Sequence, residues 1–197
     1  MFITFEGLDG SGKTTQAELL AQSLREEGRE VVATREPGGT PLGEEVRRLL
    51  LDGLEMSAWA EASLFAAARA ELVHRLIGPA LAQGQDVVCD RYVDSSLAYQ
   101  GIARNLGVSR VLELNLVATG GLLPDRTFLV LVDPQVALER SSPSDRIERE
   151  GPEFHRAVDE AYRSLATMFP NRITTVNGDR PADAIAEEIR GRLPELS

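Results

Sequence analysis

The 197-residue sequence predicts an α/β fold: a doubly wound, parallel, five-stranded sheet flanked by helices and carrying a short lid. Three observations predict it. Short β-type runs recur with helical stretches between them, the alternation of a parallel sheet covered on both faces. Gly7-Leu8-Asp9-Gly10-Ser11-Gly12-Lys13-Thr14 fits G-x-x-x-x-G-K-[ST], the P-loop, and lies between a strand-like run and a helical one, as that motif requires. Polar signatures also follow the second and third strand-like runs, where the carboxyl ends of a parallel sheet gather ligands.

Residues 2–5 are β-branched and aromatic and form the first expected strand. The glycines after it let backbone N–H groups curl around phosphate oxygens. Lys13 reaches the β- and γ-phosphates, and the Thr14 hydroxyl can ligate Mg²⁺. Residues 15–27 read as a helix with Leu19, Leu20, Ala21 and Leu24 on one side, its positive end toward the same anion. Residues 31–34 form the second strand, followed by Arg35-Glu36-Pro37. Residues 58–83 predict a long helix, apolar nearly all round, that is either the central helix of the core or half of a dimer interface. Residues 87–89 are a buried strand containing Cys89 as a core residue, followed by Asp90-Arg91-Tyr92. Strands four and five are expected over 128–132 and 174–176. Ser141-Ser142-Pro143-Ser144 breaks a helical pattern, and Asp145-Arg146-Ile147-Glu148-Arg149 follows. Residues 141–150 are thus expected to be a lid over bound phosphate, with a plain solvent loop as the alternative. No repeat or linker divides the chain, so residues 1–197 are expected to form one domain.

Hydrophobic residues make up 43% and charged residues 26%, ordinary for a globular protein. A formal net charge of −10 argues against a nucleic acid polymer as partner, because phosphate backbones need clustered Lys and Arg. A single nucleotide needs only a local cationic pocket. One cysteine excludes an intrachain disulfide and suits a reducing compartment. His74 and His155 lack metal-ligand spacing and are expected on helix surfaces. The sequence shows no membrane span or secretory signal pattern, so a cytoplasmic protein is expected.

A P-loop alone covers GTPases, motors, transporters and kinases. No Asn-Lys-x-Asp base-reading segment is present, and the length, the Asp-Arg pair after a strand and the arginine-bearing lid fit a small-molecule kinase. Here the resemblance becomes specific. The runs 5–15, 34–40 (Thr-Arg-Glu-Pro-Gly-Gly-Thr), 64–69 (Leu-Phe-Ala-Ala-Ala-Arg) and 90–101 (Asp-Arg-Tyr-Val-Asp-Ser-Ser-Leu-Ala-Tyr-Gln-Gly) are similar to those of bacterial thymidylate kinases, over essentially the whole chain. The Asp145-Arg146-Ile147-Glu148 run with Phe154 and Tyr162 downstream is also family-like.

The resemblance implies transfer of the γ-phosphoryl of ATP to dTMP with Mg²⁺, giving dTDP for dTTP biosynthesis, by a homodimer. It implies that Gly7, Leu8, Asp9, Gly10, Ser11, Gly12, Lys13, Thr14 and Thr15 hold the donor phosphates, with Arg140 against adenine. Thr14 and Asp90 would serve the metal. Asp9 would reach the acceptor's 3′-hydroxyl, and Arg35, Glu36 and Pro37 would shape its site, Pro37 either through a cis bond before it or as an ordinary turn proline. Arg47 and Arg91 would grip the dTMP phosphate, Phe65 would stack on thymine, and Arg69 would bond its O4. Ser96, Tyr99 and Gln100 would complete the pocket, Tyr99 crowding a ribose 2′-hydroxyl. Taken singly, Phe65 reads as core and the arginines as surface residues; their joint order carries the reading. Many bacterial lids carry an arginine just before Asp-Arg, and the eukaryotic-type relatives carry one in the P-loop; this chain has neither. Elimination then assigns the missing catalytic cation to Arg146, with Arg149 behind it, beside Lys13, Asp9 and Arg91. The rival readings are a kinase for another pyrimidine monophosphate and a nucleotide-operated switch without acceptor chemistry.

Overall fold

The computed structural model describes residues 1–52, 55–141 and 145–193. Ser142, Pro143 and Ser144 of the expected lid lie outside the described residues. All five expected strands are present: β1 (Phe2–Glu6), β2 (Val31–Arg35), β3 (Asp86–Asp90), β4 (Arg126–Leu131) and β5 (Ile173–Asn177). They form one parallel sheet in the order β2-β3-β1-β4-β5.

Alternation sends successive side chains to opposite faces. Ile3, Phe5, Val88, Phe128 and Val130 pack in one core with Leu20, Leu24 and Ile189. Phe2, Val87, Cys89 and Leu129 pack in the other with Leu72, Val111 and Leu165. Both faces are therefore dry, which is why β3 and β4 read as continuous apolar runs. Each such side chain stabilises the fold by about 1.5–3 kcal/mol.

The helices are α1 (Lys13–Glu26), α2 (Pro41–Leu51), α3 (Ala58–Leu72), α4 (Gly78–Ala82), α5 (Val93–Ser96), α6 (Val108–Thr119), α7 (Pro134–Arg140), α8 (Pro152–Met168) and α9 (Ala182–Gly191). Side-chain caps start three of them: Thr40 accepts from the Gly43 N–H, Ser57 from Ala60 and Asp133 from Gln135. Pro41 and Pro134 occupy first turns, where no N–H partner is needed. The expected helix over 58–83 is α3 and α4 joined by a π turn at Val73–Ile77. A second π turn, Leu97–Ala103, follows α5. His74 is exposed, as expected. His155 is not a free surface residue: it is half-buried, its Nε2 2.9 Å from the Glu148 carbonyl of the lid.

The β1–β3 register sets Phe5 opposite Asp90. The loops after β1 and β3 thus leave the sheet side by side, and residues some eighty positions apart share one crevice at its carboxyl edge.

Candidate functional site

The loop from Gly7 to Gly12 turns directly into α1. Gly12 caps that helix with φ 91°, and a Cβ there would meet nothing within 4 Å, so the approach to the helix N-terminus is open. Gly10 has φ 80°, and a Cβ there would collide with the Ala137 carbonyl oxygen of α7. Its absence lets the loop lie against α7, bringing Arg140 beside it. Arg140 is half-exposed and pairs with Asp179 at 3.5 Å.

Lys13 is buried, its Nζ 2.7 Å from Asp9 Oδ1. Arg91 Nη2 donates to the same oxygen, also at 2.7 Å. Burial works against the charge on Asp9, but Arg91 and Lys13 outweigh it and hold its carboxyl well below the usual range. Thr14 Oγ1 donates to Asp90 Oδ2 at 2.5 Å, while Asp90 Oδ1 is buried without a hydrogen-bond partner among the described residues. A buried carboxylate oxygen left open beside a hydroxyl at a helix N-terminus suits an added cation.

Arg91 has φ 68°, unusual for a non-glycine residue. That conformation costs about 1–2 kcal/mol and is held by the rest of the site. The Arg91 N–H donates to the Phe5 carbonyl at 2.9 Å, and Nη1 donates to Ser95 Oγ and Tyr162 Oη, each at 3.1 Å. Behind it lies Glu6, which the sequence reading missed. Its carboxylate accepts from the Tyr92 and Ser95 N–H groups and from the Ser95 and Tyr162 hydroxyls. Burial and then Asp94 push its pKa up to about 7. The available signal was an acidic residue at the end of an apolar strand.

Next to the P-loop is a cavity walled by Asp9, Glu36, Pro37, Arg47, Phe65, Arg91, Ser96, Tyr99 and Gln100, with Asp145 and Ile147 closing it from the lid side. Most of the expected acceptor residues thus converge. The Glu36–Pro37 bond, left open by the sequence, is cis. Arg47 donates to the Pro37 carbonyl at 3.0 Å. The Arg91 guanidinium lies 5.5 Å from the Tyr99 ring centre.

Three of the expected residues do not line this cavity. Arg35 is exposed, pairs with Glu44 at 3.2 Å, and lines a groove with Thr14 and Asp90 instead of the cavity, because Glu44 in the first turn of α2 draws it there. Arg69 is buried beneath the cavity. Its Nε donates to Glu36 Oε2, Nη2 to the Tyr92 carbonyl, and Nη1 to Ser96 Oγ and Asn115 Oδ1, and Nη2 also lies 2.6 Å from Glu36 Oε2. Arg69 holds Glu36 and Ser96 in place. Arg146 is not brought to the P-loop. Its Nη2 lies 2.6 Å from Glu61 Oε2, its Nε donates to the Leu50 carbonyl and its N–H to that of Leu51. Glu61 is a buried carboxylate that needs countercharge, and Arg104 and Arg146 supply it. Asp145 Oδ1 accepts the Ile147 and Glu148 N–H groups, both at 2.9 Å, so Asp145 shapes this turn and Arg146 anchors it. Arg149 is exposed on the short helix Glu148–Glu150 of that turn.

A P-loop opening into a parallel-sheet crevice, joined through one aspartate to a second, arginine-lined cavity, defines a P-loop kinase with a small-molecule acceptor. The thymidylate kinase family profile matches residues 5–189, and the chain belongs to that family. It is 49% identical over 200 residues to a thymidylate kinase of Symbiobacterium thermophilum, covering all of this chain and 94% of the relative. It is 50% identical over 187 residues to one from Synechococcus sp. (strain JA-3-3Ab), covering 94% and 92%. The crystal structure of the Ehrlichia chaffeensis thymidylate kinase superposes with a TM-score of 0.82 at 36% identity, covering 97% of this chain and 96% of that one.

Proposed function

We propose that this chain phosphorylates dTMP to dTDP from ATP, with ATP on the P-loop and dTMP in the cavity beside it. The kinase activity follows from the family; the division of labour is our reading. The observation that carries it is Asp9 Oδ1, bonded to both Lys13 and Arg91. This one carboxylate joins the donor cradle to the acceptor cavity, so the two phosphates would meet at their common wall. Phosphate oxygens arriving there replace Asp9 as partners of Lys13 and Arg91, and Asp9 is freed toward the acceptor's sugar hydroxyl. Phosphoryl transfer asks mainly for such positioning and charge compensation.

Phe65, half-buried on the cavity wall, supplies the stacking face, and Tyr99 the crowded side of the sugar. Arg47 and Arg91 hold the acceptor phosphate. Arg140, beside the loop, covers the adenine. The lid cations we assign to the transferring group are Arg146, which would have to leave Glu61 to reach it, and Arg149 behind it. Release of ADP from ATP in a coupled assay tests the whole reading: it should require dTMP and be negligible with ATP alone.

The donor set at Thr14 and Asp90 fits Mg²⁺, a hard cation taking oxygen ligands. When bound, the ion would neutralise charge on the donor phosphates. Asp90→Asn is expected to raise the Mg²⁺ concentration for half-maximal activity by about tenfold or more, the usual scale for losing a charged metal partner. An unchanged Mg²⁺ dependence would remove Asp90 from the metal site.

We also propose a homodimer. Trp59, Ser63 and Ala67 form an exposed stripe on α3, and Val117 on the neighbouring α6 is 80% exposed. A second copy packed on this small and apolar surface would bury it. Light scattering at micromolar concentration should give twice the chain mass; a monomeric mass excludes the proposal. The proposed compartment is the cytoplasm, where ATP is met and a lone thiol stays reduced. Among the described residues no helix is long and apolar enough to cross a membrane.

A further inference from the structure

Glu61 is the buried hub behind one cavity wall. It stands one helical turn before Phe65, which stands one turn before Arg69, so the three share a stripe of α3. Oε1 accepts from Gln100 Nε2 at 2.9 Å and from Arg104 Nε at 3.3 Å. Oε2 accepts from Arg104 Nη2 at 3.2 Å and from Arg146 Nη2 at 2.6 Å. Burial opposes its charge, but these donors hold its carboxyl below the usual range, so it stays an acceptor only.

That fixes the chemistry of Gln100. A primary amide has a donor end and an acceptor end of nearly equal shape, and its neighbours decide which faces where. A carboxylate can meet only the NH₂ end. Gln100 lines the acceptor cavity, and Oε1 is the end left for a ligand there. The geometry points to Glu61 as a specificity-determining positioning residue: it holds Gln100 as a hydrogen-bond acceptor, so the cavity selects pyrimidines that carry an N3–H. Thymine and uracil carry that proton, whereas cytosine offers a lone pair at N3 and meets Oε1 with repulsion. A site built around one partner rejects the mismatched analogue strongly, because a buried polar group is left unpaired. Through Arg146 the same carboxylate anchors the lid turn, so base selection and lid placement share a hub.

This inference rests on the dTMP reading, and its test separates the two. The kcat/KM values are measured for dTMP, dUMP and dCMP in the natural chain, Glu61→Gln and Gln100→Ala. In Glu61→Gln the position-61 side chain can itself donate, so the position-100 amide can turn over. The preference for dTMP over dCMP is expected to fall about tenfold or more, equal to about 1.4 kcal/mol. The dTMP-to-dUMP ratio should stay within about twofold, since both bases carry N3–H. A purely structural injury would lower all three together. Gln100→Ala removes the acceptor with Glu61 intact and should lose the same preference, which keeps the test open if Glu61→Gln does not fold. An unchanged dTMP-to-dCMP ratio in either variant, or equal loss of both ratios, overturns the inference. No turnover of dTMP by the natural chain overturns the functional reading instead.

Discussion

Lys13→Ala is expected to lower kcat by at least about 10²-fold, the usual cost of losing a preorganised donor at a site of developing charge. The ammonium is already buried and aimed, 2.7 Å from Asp9, before any phosphate arrives. Burial and then Arg91 lower its pKa, so an anionic neighbour matters to its charge. Charge grows on the transferring phosphoryl only as the reaction proceeds. The loss should therefore fall on kcat more than on the KM for ATP. Steady-state kinetics separate the two, and a normal kcat with a raised KM would make Lys13 a ground-state binder only.

Arg91→Ala is expected to be at least as damaging, lowering kcat/KM for dTMP by about 10³-fold or more, the scale of an arginine acting on a transferring phosphoryl. Arg91 compensates Asp9, touches Ser95 and Tyr162, and lies against the Tyr99 ring. Its removal opens the acceptor cavity and leaves Asp9 to Lys13 alone. Arg91→Lys should rescue little, because an ammonium cannot keep two directed forks while binding phosphate. Calorimetry with dTMP alone checks the binding part. If Arg91→Lys binds dTMP and turns over as the natural chain does, the fork geometry is not what the site needs.

The centre of the sheet was legible because β1, β3 and β4 are buried on both faces, and burial on two sides writes itself as short apolar runs such as Val87-Val88-Cys89. The P-loop was legible because close approach of backbone to phosphate constrains composition at Gly7, Gly12, Lys13 and Thr14. What escaped were side chains whose partners come from distant segments. Arg146 looked like a spare cation because Glu61, 85 positions away, gave no sign of being buried. Arg69, taken singly, read as a surface arginine because its burying partners at Glu36, Tyr92, Ser96 and Asn115 come from several elements. Arg35 and Glu44 could have been paired, since Glu44 falls in the first turn after the Thr40-Pro41 cap. The π turn over Leu97–Ala103 breaks the 3.6-residue period, so no helical pattern could place Tyr99 and Gln100 on one wall.

The central claim is that the donor cradle and the acceptor cavity, joined at Asp9, pass one phosphoryl group from ATP to dTMP. Incubation of the chain with γ-labelled ATP, Mg²⁺ and each nucleoside monophosphate in turn tests it most directly. The account predicts label in dTDP, at a rate far above that for dCMP, dAMP or dGMP, and almost none in free phosphate when no acceptor is present. Label released as free phosphate equally fast with and without dTMP, or transferred equally to purine monophosphates, would contradict it.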